Sequence, residues 1–285
     1  SLVASEMDVR FIPTTAEALS DSSAVKGLLS RLDDHGYDRG GKPVGSIKPS
    51  VLLIDEAHRM NRQSQELMYA CVEDRVLDTR TRDPLTGLMR PTREWVPFFT
   101  LLAATNRPGD LTQAFRDRLR LQLRLEPYSG KDATLIARQA MLRMDLSCGP
   151  SAARLIASRG RGVPRRIISI CEQVRDMALA SGRPSATPAL CQKAFAALGL
   201  DPLGLERAEV ALLGALGENI GQPLGLKTMV SITGEDERTL EEAVEPFLLA
   251  RGLISKTARG RCITETGLAH LEEHHGLEKG GRSMP

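Results

Sequence analysis

Aromatic residues are scarce in this chain: one Trp, three Tyr and six Phe make up 4% of its 285 residues. That leaves no platform on which nucleic-acid bases could stack in series, so a single-strand grip of that kind is not expected. Cysteine is sparse and unpatterned as well. Cys71, Cys148, Cys171, Cys191 and Cys262 are odd in number and free of any C-x-x-C pair. This argues against a disulfide frame or a thiolate zinc site and fits reduced thiols in the cytoplasm. No apolar run approaches the roughly 18 residues of a membrane span. The opening SLVASEMDVR also lacks the charged-then-apolar pattern of a signal peptide. An excess of either charge is missing too, with 38 Lys+Arg against 36 Asp+Glu. Any nucleic-acid surface must therefore be a local patch rather than a global field.

What is present is the composition of a soluble globular protein of two or three domains, 41% hydrophobic and 26% charged. The first part alternates strand and helix. VRFI (9–12) reads as a strand and AVKGLLSRL (24–32) as a helix, and the unbroken apolar run VLLI (51–54) suits a strand buried on both faces. Asn61 can cap a helix running towards Asp74. TLLAAT (100–105) is another buried strand, Asp110 with Gln113 resembles a capping box, and LQLRL (121–125) alternates like a strand. Strands separated by helices predict a parallel α/β sheet.

From about Tyr128 the strand signals stop. Ser129 with Asp132 starts one helix, Arg165–Leu179 makes another, and Thr187-Pro188 opens a third. After the linker LGLDPLGLE (198–206), three further helices (206–216, 226–232, 238–252) precede LISKT-ARG-RCIT (253–264), two strands around a tight turn. Three helices and a basic hairpin are the layout of a winged helix. The expected domains are thus 1–127 (α/β), 128–199 (a small all-helical domain) and 200–275 (a winged helix), with a loose tail at 276–285.

Chemistry concentrates where strands end. VLLIDEAHRM (51–60) delivers Asp55 and Glu56 at the end of a buried strand, where ligands bind open α/β sheets. In a phosphate-hydrolysing site one such acid holds Mg²⁺, usually through water, and the second orients or deprotonates the attacking water. TLLAATNR puts the neutral Asn106 at the tip of a neighbouring strand, suited to sensing a γ-phosphate without adding charge. FRDRLR (115–120) places Arg116 and Arg118 at a helix end, and GRGVPRR (160–166) places Arg165 at a helix start. Each arginine alone reads equally as a surface residue. Lys256, Arg259 and Arg261 surround Gly260 on the terminal hairpin and can follow a phosphate backbone without regard to sequence. Solubility is the bland alternative.

VLLIDEAHRM, TLLAATNRPG, FRDRLRLQLRLEPYS, GRGVPRRI, LGLDPLGLE, VEPFLLARGLI and KTARGRCIT, in this order, resemble the RuvB family of AAA+ motors, which drive branch migration of Holliday junctions. The resemblance runs from about Leu2 to His270. It implies ATP and Mg²⁺ as cofactors, Asp55 as the Mg²⁺-associated Walker B acid and Glu56 as the catalytic base. It also implies Asn106 as sensor 1 (where the family usually has Thr), Arg165 as sensor 2, and a trans arginine finger at Arg118 or Arg116. A homo-oligomeric ring, a hexamer by the family pattern, would act on four-way junctions and duplex DNA with a RuvA-like partner gripped by a hairpin at 76–97. Two departures stand out. The family's phosphate-cradling Walker A loop should precede Ser1. The G-x-x-x-x-G-K match at 36–43 (GYDRGGKP) is a decoy, since Pro43 replaces the Ser/Thr that binds Mg²⁺ and brings no N–H. A chain in this form is expected to bind ATP poorly or not at all and to be inactive alone. At the hairpin, Arg80, Arg82, Arg90 and Arg93 surround a tip whose apolar residues are Leu85, Leu88 and Met89, less apolar than a protein grip calls for. A degenerate AAA+ scaffold or DNA-binding regulator, and a different AAA+ machine such as a clamp-loader subunit, are the competing readings. HLEEHH (270–275) aligns His270 and His274 on one helical face, expected to be solvated rather than metal-binding.

Overall fold

The computed structural model describes residues 2–32, 49–83, 86–182 and 185–276. They form two units, Ser1–Arg124 and Leu125–Pro285. In the first, α1 (Leu2–Glu6), β1 (Arg10–Thr15), α2 (Ser22–Ser30), β2 (Ser50–Asp55), α3 (Arg62–Glu73), β3 (Val76–Arg82), β4 (Met89–Trp95), β5 (Phe99–Ala103) and α4 (Gln113–Arg118) follow in order. The sheet runs β1-β2-β5, with both pairings parallel. β2 sits in the middle because its apolar run allows burial on both faces: Val51, Leu52 and Ile54 are fully buried. Leu52 and Ile54 join Ile12, Leu28, Leu29, Met68 and Phe115 in one core, each such side chain contributing about 1.5–3 kcal/mol on burial. Among the described strands, β5 is an edge of this sheet.

Two local expectations fail here. LQLRL (121–125) forms no strand, and Leu121, Leu123 and Leu125 are exposed. Alternating pattern alone does not make a strand; the ladder needs a neighbour, and no described strand lies beside this segment. The N-cap of α4 is Thr112, whose hydroxyl accepts the Phe115 N–H at 3.3 Å, while Asp110 lies in the preceding 3₁₀ turn and pairs with Arg107. Asn61 does cap α3, accepting the Ser64 N–H at 2.8 Å. The G-x-x-x-x-G-K match at 36–43 lies outside the described residues.

In the second unit α5 (Gly130–Arg143), α6 (Pro150–Arg159), α7 (Pro164–Ala180) and α8 (Pro188–Leu198) pack around Ala137, Met141, Ile156, Ile167, Val174 and Phe195. Two short strands, β6 (Ser147–Cys148) and β7 (Ser185–Ala186), pair in parallel across their connections. Three of these helices have Pro in their first turn, where the missing N–H costs nothing. Ser129 and Thr187 cap α5 and α8 as expected.

The same unit continues into α9 (Arg207–Glu218), α10 (Leu226–Thr233), α11 (Glu237–Thr239), a π-helical stretch Leu240–Val244, α12 (Glu245–Ala250), β8 (Ile254–Thr257), β9 (Gly260–Ile263) and α13 (Glu265–His275). The π stretch runs directly up to α12, which carries Pro246 in its first turn. Proline has no N–H for the carbonyl four residues back, and widening the helix relieves the clash. This part has its own core of Leu212, Leu213, Met229, Leu240, Leu248 and Leu271. It is joined closely to the lid. Gly204, at φ +76°, passes so near α6 that a Cβ there would stand 2.4 Å from the Arg159 carbonyl oxygen.

Candidate nucleotide and nucleic-acid sites

Asp55 and Glu56 emerge exposed at the carboxyl end of β2. The Glu56 N–H donates to Asp55 Oδ1 at 2.9 Å, which orients the carboxylate. Glu56 itself has φ +53° and ψ +40°, a left-handed backbone that costs a non-glycine residue about 1–3 kcal/mol. The turn is fastened to the neighbouring strand end in two ways. The Ala57 N–H donates to the Ala104 carbonyl at 2.9 Å. The buried His58 places Nδ1 3.1 Å from Thr105 Oγ1 and Nε2 3.3 Å from Glu56 Oε2. Thr105 also accepts the Arg107 N–H at 3.0 Å, shaping the loop that carries the exposed Asn106. Asp55, Glu56 and Asn106 thus stand at the carboxyl ends of two adjacent parallel strands, where a sheet of this class receives its ligand.

His58 went unnoticed in the sequence reading. Its signal was available in the spacing, a histidine two residues beyond the second acid and on the same short turn.

Arg118 is half-buried against α3. It donates to Tyr69 Oη at 2.6 Å, lies 3.0 Å from Glu73 and covers the Tyr69 ring at 4.4 Å. Arg116 is held locally, donating to the Pro108 carbonyl at 2.9 Å and to Gln113. Arg165 belongs to the second unit, exposed in the first turn of α7.

β3 and β4 form the expected antiparallel hairpin, Val76 opposite Trp95 and Arg82 opposite Met89. Arg93 donates to both carboxylate oxygens of Asp78, at 2.7 and 2.9 Å, and that hydrogen bonding holds the Asp78 carboxyl below its ordinary range. Arg90 pairs with Asp83 at 3.0 Å. With these cations engaged, Leu88, Met89, Trp95 and Phe98 are exposed along and beside the hairpin. Leu85, at the tip, lies outside the described residues.

On the terminal hairpin Arg259 is exposed at the turn and Lys256 is about half exposed, 3.5 Å from Glu241. Arg261 departs from expectation. It is buried, 2.7 Å from Glu245 and 3.2 Å from Glu241. Leu224 flanks Arg261 on β9 through two backbone hydrogen bonds of 2.9 Å, and the Arg261 side chain leaves the strand on the face where Glu245 of α12 receives it. Burial lowers the Arg261 pKa, but the two carboxylates raise it by more, so the guanidinium stays charged. His270 is a second departure. It is buried rather than solvated, with Nε2 2.6 Å from Asp201 Oδ2.

A model of the RuvB P-loop domain, described as that of a Holliday junction DNA helicase, matches residues 1–125, and a model of the RuvB C-terminal winged helix domain matches residues 202–272. The chain belongs to the RuvB family. The RuvB subunit of the Holliday junction branch migration complex of Parasynechococcus marenigrum is 36% identical over 274 residues, 95% of this chain and 74% of that protein. Its counterpart from Methanoregula boonei is 33% identical over 276 residues, 96% of this chain and 77% of that protein. Among solved structures, the Thermotoga maritima RuvB Holliday junction branch migration motor superposes with a TM-score of 0.75 at 30% identity, covering 95% of this chain and 81% of that one. The AAA+ α/β fold with a parallel sheet, helical region and winged helix is that of the RuvB family. None of the described helices is long and apolar enough to cross a membrane.

Proposed function

We propose that the protein is the ATP-hydrolysing motor of Holliday junction branch migration in recombination and repair. The observation that carries this reading is the paired strand ends: Asp55 and Glu56 on β2, tied through His58 to Thr105 and hence to the loop of Asn106. The nucleotide part would span 1–127, the lid 128–199 and the wing 200–275.

In this reading Asp55 would hold Mg²⁺, for which an oriented, exposed carboxylate at the carboxyl end of a strand is fitted. The ion supplies neutralisation of phosphate charge. Glu56 takes the proton of the attacking water, and Asn106 contacts the γ-phosphate or that water. The cradle for the phosphates is not among the described residues. Arg165 is fitted for the same nucleotide in cis, because a cation in the first turn of a helix is opposed by the helix dipole and gains nothing there on its own account. Arg118 docks at the far end of α3, a helix of 12 residues and so about 18 Å long, away from Asp55. That favours Arg118 over Arg116 as the residue offered to a neighbouring subunit in a hexameric ring.

Lys256 and Arg259 would follow the DNA backbone. The hairpin 76–97, with Leu88 and Met89 exposed, would meet a RuvA-like junction-binding partner. Two of its four arginines, Arg90 and Arg93, are engaged by Asp83 and Asp78, which lessens the free positive charge beside such a contact.

The test uses a chain extended upstream to an in-frame G-x-x-x-x-G-K-[ST] loop. It should hydrolyse ATP in response to junction DNA, and Glu56→Gln should retain nucleotide while turnover stops. Normal turnover in Glu56→Gln removes Glu56 from its role. Junction binding with no ATP hydrolysis in the extended chain would favour a scaffold.

A further inference from the structure

The linker between α8 and α9 carries one buried acid, Asp201, and the terminal helix α13 brings two imidazoles to it. Asp201 Oδ2 lies 2.6 Å from His270 Nε2 and 3.3 Å from His275 Nε2. One ligand atom from each of the three residues lies within 4.8 Å of the other two. Asp201 and His270 are almost wholly enclosed, and His275 is a quarter exposed. The other carboxylate oxygen, Oδ1, accepts the N–H groups of Leu203 and Leu205 at 2.8 and 2.7 Å. Those bonds fix the carboxylate plane and leave Oδ2 for the two rings.

We propose that Asp201, His270 and His275 form a binding site for a divalent transition cation, with Zn²⁺ the best fit. Two neutral imidazoles and one carboxylate, without thiolates, are the ligand chemistry of Zn²⁺, Co²⁺ and Ni²⁺ rather than of Mg²⁺ or Ca²⁺. Four ligands at about 2.0–2.1 Å in a tetrahedron stand about 3.3–3.4 Å apart. The Asp201–His275 separation already has that value, and the His270 ring needs a shift of less than about 1 Å from its hydrogen-bonded position. Water supplies the fourth ligand through the exposed side of His275. On binding, each ring carries its proton on Nδ1 and presents the Nε2 lone pair to the metal, so the two N–H···O bonds to Asp201 are exchanged for metal bonds. The Leu203 and Leu205 N–H groups play the orienting role that outer hydrogen bonds play around metal ligands. The metal would staple the lid-to-wing linker to the last helix of the wing. His274, one residue from His275, stacks edge-on against His270 with ring centres 4.9 Å apart and is outside the ligand set.

Co²⁺ titration of the 285-residue chain tests this directly. One equivalent should bind with the intense visible absorption of tetrahedral cobalt, and Zn²⁺ should displace it and raise the melting temperature. His275→Gln keeps a hydrogen-bond donor near Asp201 but is a poor ligand. It and His275→Ala should weaken binding by more than about tenfold, since even outer partners of metal ligands are worth about 10–100-fold. His274→Ala should bind as the parent does. Absence of saturable one-to-one binding by the parent overturns the proposal, whatever the variants do. So does unchanged affinity in His275→Gln, which would put the metal elsewhere and leave the cluster as a hydrogen-bonded clasp.

Discussion

Arg161, in the turn between α6 and α7, donates through Nη1 to Glu209 Oε1 of α9 at 2.7 Å and through Nη2 to Glu209 Oε2, with both side chains buried. The guanidinium also lies over the Phe247 ring, 3.8 Å from its centre. Lid and wing are thereby locked by one ion pair, and Glu209 additionally accepts the Glu206 N–H at 2.8 Å to start α9. Removing one partner strands a buried charge, which costs about 3–5 kcal/mol. Glu209→Ala should therefore unfold at a markedly lower denaturant midpoint. Arg161→Met with Glu209→Leu should recover much of the loss in the same assay. Equal loss in the single and double variants would mean that the pair is incidental.

The wing offers a contrast between neighbouring cations. Arg259→Ala should weaken duplex DNA binding at all sequences and lower the salt slope by about one, read by fluorescence anisotropy at several salt concentrations. Arg261→Ala should act on stability instead, because it leaves Glu245 buried without its partner. A thermal melt separates the two: Arg259→Ala should melt like the parent and Arg261→Ala well below it.

Glu56 sits in a left-handed conformation that glycine adopts without strain. Glu56→Gly should stabilise the first unit by about 1 kcal/mol in chemical denaturation, whereas Glu56→Gln, which keeps the strain, should not. A destabilised glycine variant would mean that the contact with His58 outweighs the backbone cost.

Burial pushes the thiols of Cys71 and Cys171 up to about 12 and that of Cys191 to about 11, against an ordinary 9.0. Their protonated forms are favoured by folding, so this contribution is whole below pH 9.0 and is lost as pH rises through 11 to 12. Iodoacetamide at pH 8 should leave these three unlabelled in the folded chain and label them in urea. Mass spectrometry of the labelled peptides reads this, and labelling under folding conditions would contradict their burial.

Much of this was legible in the chain because the signals were local. The VLLI run fixed β2 by its double-sided burial, Asn61, Ser129 and Thr187 capped the helices they introduced, and the Gly260 turn gave the β8–β9 hairpin. The misses were long-range. LQLRL carried a strand pattern without a neighbour to pair with. Arg261 read as an exposed cation until Glu245 of α12 proved to stand against it. His270 read as solvated because its partner, Asp201, stands 69 residues earlier. Partners that distant leave no periodicity to detect.

Among the described strands, β5 ends the sheet, with the apolar sequence FTLLA along that side. The outer side of an edge strand is a template for another β-strand, including that of a second molecule. At high concentration the 285-residue chain should self-associate through this rim, and a peptide that adds a strand to it should act as a solubiliser.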